Sequence, residues 1–263
     1  MENPGQLRYP ELADELPELP DNFEFDENEP KTIRQIRADN EPFKGKNKWD
    51  KEHWRYYRWS YYRHIEQVDA EIGRVLQALE DYGYAKDTLT VFIADHGEGL
   101  GHHQMVRKSS LYDEALRVPL LFSWPGYIME NKTDTIHLAS GLDIMPTLCD
   151  YAGIKTPANM RGVSLRAVLE GNGGISRDFI VSEVTSNTGR MVRTKRYKYI
   201  TYKDDSIDQL FDMRNDPGEM NNLAMSSQYA SIVEEHQKLL KDWERRLDVP
   251  ENVPNTDAWW YKR

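Results

Sequence analysis

Residues 90–98 read TVFIADHGE, and this stretch decides the predicted fold. It is a run of β-branched and apolar side chains that stops abruptly at Asp95, His96 and a glycine. Such a run, without polar alternation, is typical of a strand buried on both faces of a parallel sheet. In such sheets, ligand-binding groups lie at the carboxyl ends of the strands. We therefore expect Asp95 and His96 to mark a functional site.

Helical and strand patterns alternate on both sides of this stretch. Apolar residues recur at steps of three and four in residues 50–81, which predicts an amphipathic helix before the strand, with the aromatic side chains of residues 54–62 in the core. A second helix is expected at 110–115, an apolar strand at 118–124 and a further helix at 138–152. The order helix, strand, helix, strand predicts an α/β domain.

The two ends of the chain have a different character. Residues 1–50 are rich in proline and acidic side chains, which predicts an extended N-terminal arm before a partial α/β domain at 51–170. Residues 171–263 are expected to form an α+β subdomain, with an antiparallel sheet packed by an amphipathic helix at 229–247. The four strands of that sheet are expected at 179–184, 190–194, 197–202 and 209–212.

The composition is that of a globular protein with an acidic surface. The 263 residues include 44 acidic and 34 basic side chains, and the formal net charge of -10 argues against nucleic acid or an anionic membrane as partner. No apolar run approaches the roughly 20 residues that span a bilayer, and the first residues lack an export signal, so we expect a soluble chain. The single cysteine, Cys149, excludes an internal disulfide and is expected to be a small buried residue.

Two groups of side chains near the strand carry candidate chemistry. Asp95 offers hard oxygen ligands to Ca²⁺ or Mg²⁺, whereas the imidazole of His96 is more typical of transition-metal sites, so the pair alone does not name the ion. In the loop that follows, His102, His103 and Lys108 gather positive charge that suits a tetrahedral anion, and a histidine can protonate a leaving oxygen. A turn capped by Asp95, followed by a solvated surface loop, is the alternative that the local pattern leaves open.

These residues also resemble a known family. The stretches DHGE at 95–98, GHH at 101–103 with the following Lys108, and LYDEALRVPL at 111–120 resemble the metal-binding and lysine region of the type I sulfatases, in the alkaline phosphatase superfamily. The resemblance extends over roughly residues 50–247, and this extent argues against agreement by chance. It implies an α/β fold: an incomplete alkaline-phosphatase-like, mainly parallel sheet with flanking helices, plus a small C-terminal antiparallel sheet packed by a helix.

The resemblance implies a role for each of five residues. Asp95 and His96 match ligands of the family's Ca²⁺ (or Mg²⁺) ion, and Lys108 matches the lysine that holds the sulfate. His103 falls in the Gly-x-His part of the loop, and His102 replaces an acidic residue that is common there. We therefore expect Lys108 and His103 to be catalytic, and His102, His103 and Lys108 to bind the substrate.

The implied reaction is hydrolysis of sulfate esters on a sulfated small molecule or glycan, through a formylglycine made from a Cys/Ser-x-Pro-x-Arg motif. This chain contains neither that motif nor the family's two N-terminal metal aspartates. We interpret it as the C-terminal portion of a sulfatase, catalytically incomplete without an N-terminal segment. A sheet without its first strands would expose apolar surface, which predicts a homo-oligomer or binding of that missing segment.

Two other functions stay open at this point. One is phosphoryl or phosphonate transfer on the same scaffold, and the other is a non-catalytic binding module. Sulfatases are commonly periplasmic, secreted or lysosomal, but no segment of this chain indicates its compartment.

Overall fold

The computed structural model describes residues 16–26, 28–43, 48–184 and 189–247. The first helices and strands in chain order are α1 (Lys31–Ala38), α2 (Lys51–Asp81), β1 (Thr90–Ile93), α3 (Asp113–Leu116), β2 (Leu120–Ser123), α4 (Ile144–Tyr151) and α5 (Arg166–Leu169). The C-terminal elements are β3 (Phe179–Glu183), β4 (Gly189–Thr194), β5 (Tyr197–Tyr202), β6 (Gln209–Asp212) and α6 (Ala230–Arg245). Among all the residues that the structure describes, no helix combines the length and the apolar character needed to cross a membrane.

Strands β1 and β2 form a two-stranded antiparallel sheet. Thr90 lies opposite Ser123, and Ile93 lies opposite Leu120. This pairing differs from the parallel arrangement that the apolar run of β1 favoured, and β1 is half-buried rather than enclosed on both faces. An apolar run predicts that a strand is buried, but it does not predict whether the neighbouring strand is parallel or antiparallel.

The C-terminal subdomain has the predicted architecture. Its four strands pair in the order β3-β4-β5-β6, and every pairing is antiparallel. Helix α6 packs on this sheet, where Leu240 joins a buried cluster with Val192, Tyr199 and Leu210. The period-2 strands and the amphipathic helix thus bury their apolar faces against each other, as expected.

Helix α1 lies inside the region predicted to be an extended arm. Its Ile33 is fully buried in a cluster with Leu111 and Ile200, so the segment packs on the C-terminal sheet. The helix was not predicted because Ile33 and Ile36 are its only apolar side chains larger than alanine, and its N-cap is Pro30, which provides no side-chain hydrogen bond. Tertiary packing therefore stabilises a helix whose local signals are weak.

Helix α2 has a buried beginning. The side chain of Asp50 accepts the backbone N–H of His53 and caps the helix. Trp54 is 2% exposed and packs edge-on against Phe23 and Trp49, with ring centroids 5.6 and 5.1 Å away. Trp54 and Trp59 are therefore core residues, as predicted, whereas Tyr56 is 37% exposed and the other tyrosines of residues 54–62 are half-buried.

The rest of α2 carries apolar side chains that no described residue covers. Val75 on the helix is 70% exposed, and Phe92 of β1 and Leu121 of β2, which lie opposite each other, are 42% and 55% exposed. We call these residues the exposed apolar set: Ile65, Val68, Val75, Leu76, Phe92 and Leu121. The helical periodicity was correct, but among the described residues these side chains of α2 remain exposed.

Replacing Val68 with glutamate and Val75 with lysine is expected to reduce self-association of the chain. Both side chains are exposed on α2, and charges there oppose burial of the apolar set between copies. Sedimentation velocity over a concentration series measures the effect. The control is Ala70→Glu with Gln77→Lys, which adds the same charges at exposed positions of the same helix. A wild-type chain that stays monomeric throughout the series would contradict the prediction.

Helix α4 begins later than the sequence pattern predicted. A turn of 3-10 helix at Gly141–Asp143 precedes it, and Pro146 lies in its first turn, where a missing N–H is tolerated. Asp143 is fully buried and receives two hydrogen bonds of 2.6 Å from the guanidinium of Arg177. Cys149 is buried in this helix, as expected.

Candidate functional site

Asp95 and His96 lie directly after β1, and the loop that follows brings the side chain of Lys108 next to His96. The Nδ1 of His96 lies 2.8 Å from the carbonyl oxygen of Gly97, so Nδ1–H donates and Nε2 is left as an acceptor. The Nζ of Lys108 lies 2.6 Å from that Nε2. The Asp95 carboxylate, whose side chain is 84% exposed, lies 3.4 Å from the same Nε2. The three predicted residues therefore converge at the surface.

The loop between His96 and Lys108 is held against α3 by its backbone. Gly97 N–H donates to Ala115 O at 2.8 Å, and a Cβ atom on Gly97 would lie 1.8 Å from the carbonyl oxygen of Glu114. Only glycine permits this close approach. The carboxylate of Glu98 accepts hydrogen bonds from the backbone N–H of Arg107 and from the hydroxyl of Tyr57 on α2. These contacts fix the backbone on both sides of Lys108.

His103 lies in the interior rather than at the surface. It is 2% exposed, and its ring stacks on Tyr112 with the centroids 4.0 Å apart. Its carbonyl oxygen accepts the Nε–H of Arg37 at 3.0 Å. Burial lowers the pKa of His103 to about 4, so the ring is neutral at physiological pH. Its proposed contact with substrate stays a prediction, and this placement does not bring it to the surface where Lys108 lies.

His102 is the more accessible of the two adjacent histidines. Its side chain is 25% exposed, and its Nδ1 lies 2.5 Å from Asn22 Oδ1 and 3.1 Å from Glu114 Oε1. Burial disfavours the ionised form of Glu114, but hydrogen bonds from His102 and Asn22 outweigh it and lower the pKa of the carboxyl to about 2. The cluster therefore holds an ionised carboxylate beside the imidazole.

Sequence reasoning assigned no role to Asn22 or Glu114. Glu114 lies in the stretch at 111–120 that resembles the sulfatases, but that stretch alone does not show which side chains it meets. Asn22 lies 80 residues before His102 in the chain, in the segment predicted to be an arm. No local pattern reports a contact over that separation.

The contribution of His103 to the free energy of unfolding is expected to fall as the pH decreases from 6.5 to 4, because the unfolded state binds a proton on this ring at a higher pH than the folded state does. Glu219, whose folded pKa is raised to about 7, acts in the opposite direction over part of this interval, so the effect is read as the difference between the wild type and His103→Gln. Since the folded pKa of His103 is the lower one, its contribution is present above pH 6.5 and is lost by pH 4. It amounts to about 3 kcal/mol of the free energy of unfolding. Urea unfolding across this pH interval measures the loss. His103→Gln should lack it, whereas His53→Gln, at an exposed position, should retain it; equal pH slopes in all three proteins would contradict the assignment.

The donor atoms near Lys108 do not complete a site for a hard cation. Asp95 and His96 provide one carboxylate and one imidazole, whereas Ca²⁺ takes about six to eight oxygen ligands. Across the described ranges, no group of three or more His, Cys, Asp or Glu side chains is arranged to hold an ion. These residues therefore do not by themselves fit a Ca²⁺ or Mg²⁺ ion.

Two family models match the chain. The one described as Sulfatase matches residues 14–154, which is more than half of the chain. The chain belongs to the sulfatase family. The second, described as N-sulphoglucosamine sulphohydrolase, C-terminal, matches residues 101–246 of this sulfatase chain and thus covers its C-terminal sheet. The family predicted from the sequence is confirmed.

The chain is also similar to individual proteins whose activity or structure is named. It is 37% identical over 254 residues to the Δ4,5-hexuronate-2-O-sulfatase of Bacteroides thetaiotaomicron, covering 92% of this chain and 53% of that enzyme. A solved 2-O GAG sulfatase superposes with a TM-score of 0.80 at 36% identity, over 88% of this chain and 52% of that one. The phosphonate monoester hydrolase of Agrobacterium radiobacter has a TM-score of 0.67 at 29% identity, over 75% and 43% of the two chains.

These matches confirm the alkaline-phosphatase-like α/β fold class. The sulfatase chain spans about half the length of the first two of these relatives, 53% and 52%.

Proposed function

We propose that this chain supplies the sulfate-holding part of an enzyme that hydrolyses sulfate esters on sugars. The observation that carries the proposal is the convergence of Lys108 with His96 and Asp95 at the end of β1, in a chain of the sulfatase family. A lysine ammonium at the surface suits a sulfate group, since it adds a point charge without occupying much space. The named hexuronate 2-O-sulfatase relative supports a sulfated sugar as substrate.

Lys108 is proposed to bind the sulfate and to balance its charge. The Nε2 of His96 accepts from the ammonium at 2.6 Å and so limits the positions that the ammonium can take. As the ester S–O bond breaks, negative charge moves to the sulfate and the leaving oxygen, where a fixed cation stabilises it. His102 is accessible to the substrate, whereas the catalytic role predicted for His103 would need the loop to open.

The attacking group and the metal of this reaction are proposed to depend on a further segment. Sulfatases generally use a formylglycine as nucleophile and a divalent metal ion to bind the sulfate. This chain contains no Cys/Ser-x-Pro-x-Arg motif, and across the described ranges no group of three or more His, Cys, Asp or Glu side chains is arranged to hold an ion, which leaves Asp95 and His96 as the proposed ligands. The remaining groups would come from an N-terminal sulfatase segment.

The exposed apolar set is the proposed docking surface for that segment. Among the described residues β1 pairs only with β2, so its other edge is open to a further strand. Phe92 and Leu121 expose apolar surface on this two-stranded sheet, and α2 exposes more beside it. The relatives have about as much chain again as this one, which is enough to cover such a surface.

A chimera tests the proposed function. It joins the part of the Bacteroides hexuronate 2-O-sulfatase that precedes the matched region to this chain. We expect the chimera to hydrolyse a 2-O-sulfated unsaturated uronate disaccharide, and the chain alone to show no turnover. The control is the chimera with its nucleophile replaced by alanine. A folded chimera that binds sulfate without hydrolysing the ester would favour a non-catalytic binding module.

A second candidate function is phosphonate monoester hydrolysis. It is favoured by the structural likeness to the Agrobacterium enzyme, at a TM-score of 0.67. The same chimera, assayed with a phosphonate monoester, decides between the two reactions by the ratio of kcat/KM values. Faster turnover of the phosphonate than of the sulfate ester would overturn the sulfatase assignment.

A further inference from the structure

The ring of His102 is held on one side only. Nδ1 faces the amide oxygen of Asn22 at 2.5 Å and the carboxylate of Glu114 at 3.1 Å. Both of these atoms are acceptors, so in the neutral ring Nδ1 must carry the proton. Within the part of the chain that the structure describes, Nε2 has no hydrogen-bond partner, and the side chain is partly exposed.

The amide of Asn22 is itself fixed. Its Nδ2 donates to Glu114 Oε1 at 2.9 Å and to the carbonyl oxygen of Gly218 at 3.0 Å. A flipped amide would place its oxygen against these two acceptors, which is unfavourable. Asn22 is 6% exposed, so water does not readily replace the lost hydrogen bonds. Glu114 and the carbonyl group of Gly218 therefore fix the position of the amide oxygen, which in turn favours the Nδ1–H tautomer of His102.

Asn22 also distinguishes the two adjacent histidines. Its oxygen faces the ring of His102, whereas its Nδ2 lies 3.3 Å from the Nε2 of His103. The ring of His103 is enclosed by this contact and by its stacking on Tyr112. Of the pair, only His102 can turn a ring nitrogen toward a bound molecule.

We propose that Glu114 and Asn22 are positioning residues that hold His102 in the Nδ1–H tautomer and present its Nε2 to the substrate. The inference rests on the proposed function for the identity of that substrate, a sulfate ester. Before the chemical step, Nε2 takes up a proton from the bulk solvent, and the carboxylate of Glu114 lies beside the resulting imidazolium, 3.1 Å from Nδ1. Nε2–H then donates that proton to the leaving oxygen as the ester S–O bond breaks, and the ring returns to its Nδ1–H form.

The tautomer is measured on the chain alone, by long-range ¹H–¹⁵N correlation of the histidine rings. The His102 signals are assigned by their loss in His102→Asn. In the wild-type chain at alkaline pH we expect a protonated Nδ1 and a bare Nε2. In Asn22→Ala with Glu114→Gln, we expect the Nε2–H form to become the major one, and Glu24→Gln, an exposed exchange in the same region, should leave the wild-type form. A neutral His102 ring that carries its proton on Nε2 in the wild-type chain would overturn the proposal. An unchanged tautomer in the folded double variant would overturn it as well.

The catalytic consequence is measured on the chimera as a double-mutant cycle. Glu114→Gln is expected to lower kcat about 10- to 100-fold, the range found for residues that orient a histidine ligand. In a His102→Gln background the same exchange should have little further effect, because Glu114 acts through His102. Additive losses in the cycle would overturn the positioning role. An inactive chimera would count against the proposed function, while the tautomer measurement would still decide the orientation of His102.

Discussion

Replacing Lys108 with alanine in the chimera is expected to lower kcat/KM for the sulfate ester by about 10²–10³-fold, the effect of removing one fixed group that stabilises developing charge. The ammonium lies at the end of β1, 2.6 Å from His96, and it is exposed where a sulfate can reach it. Because charge on the sulfate changes as the S–O bond breaks, the loss should fall on kcat as well as on KM. Initial rates with the 2-O-sulfated disaccharide, over a range of substrate concentrations, separate the two constants.

Two neighbouring exchanges serve as controls for Lys108. Lys108→Arg keeps the charge but changes its geometry, so its activity should lie between those of the wild type and the alanine variant. Arg107→Ala removes an exposed cation from the same loop, and its side chain is not part of the convergence on His96. An equal loss of kcat/KM in Arg107→Ala would show that any positive charge in this loop has the same effect. An unchanged kcat/KM in Lys108→Ala would refute the role assigned to Lys108.

The convergence of Asp95, His96 and Lys108, the candidate site, could be predicted from local sequence. The apolar run that ends at Asp95 and His96 located the strand end, and the structure brings Lys108 to it. The different surroundings of His102 and His103 could not be predicted in the same way. They depend on Asn22, Glu114 and a stacked tyrosine, and a contact such as that of Asn22 with His102 spans 80 residues.

The fold shows the same division between local and long-range information. The C-terminal strands and α6 have strong periodic patterns, and they were predicted correctly. The direction of β2 relative to β1 and the packing of α1 depend on distant parts of the chain, as in the buried cluster that holds both Ile33 and Ile200. The apolar stripe of α2 illustrates the same point. Periodicity predicts that a helix has an apolar face, but it does not predict which segment covers that face.

A buried ionic cluster links α3, which follows the loop of the candidate site, to the C-terminal sheet. Lys198 of β5 is fully buried, and its Nζ lies 2.7 Å from a carboxylate oxygen of Asp113 and 2.7 Å from one of Glu219. Glu219 also accepts the backbone N–H of Asp113 at 2.6 Å, at the beginning of α3. Since Glu114 follows Asp113 directly, this cluster fixes the helix that carries the Glu114 carboxylate.

Lys198→Met is expected to lower the free energy of unfolding by about 3–5 kcal/mol, because removal of one partner leaves a buried charge uncompensated. Urea unfolding, with the midpoint and the slope both fitted, measures the change. The control is Lys238→Ala, which removes an exposed lysine paired with Asp242 at 3.0 Å and should change the value by less than about 1 kcal/mol. Similar losses in the two variants would show that the buried pair contributes no more than a surface pair.

The pH dependence of the Lys198→Met variant identifies the charge responsible. Burial raises the pKa of Glu219 to about 7, with Lys198 acting in the opposite direction. Removing the ammonium raises that pKa further, so the folded variant takes up a proton more readily than the folded wild type. Its destabilisation relative to the wild type should therefore be larger above pH 7 than below it. Adding Glu219→Gln to this variant should recover part of the lost free energy of unfolding above pH 7, since the unpaired carboxylate is then gone. A loss that is independent of pH and unaffected by Glu219→Gln would instead show that packing of the lysine side chain is responsible.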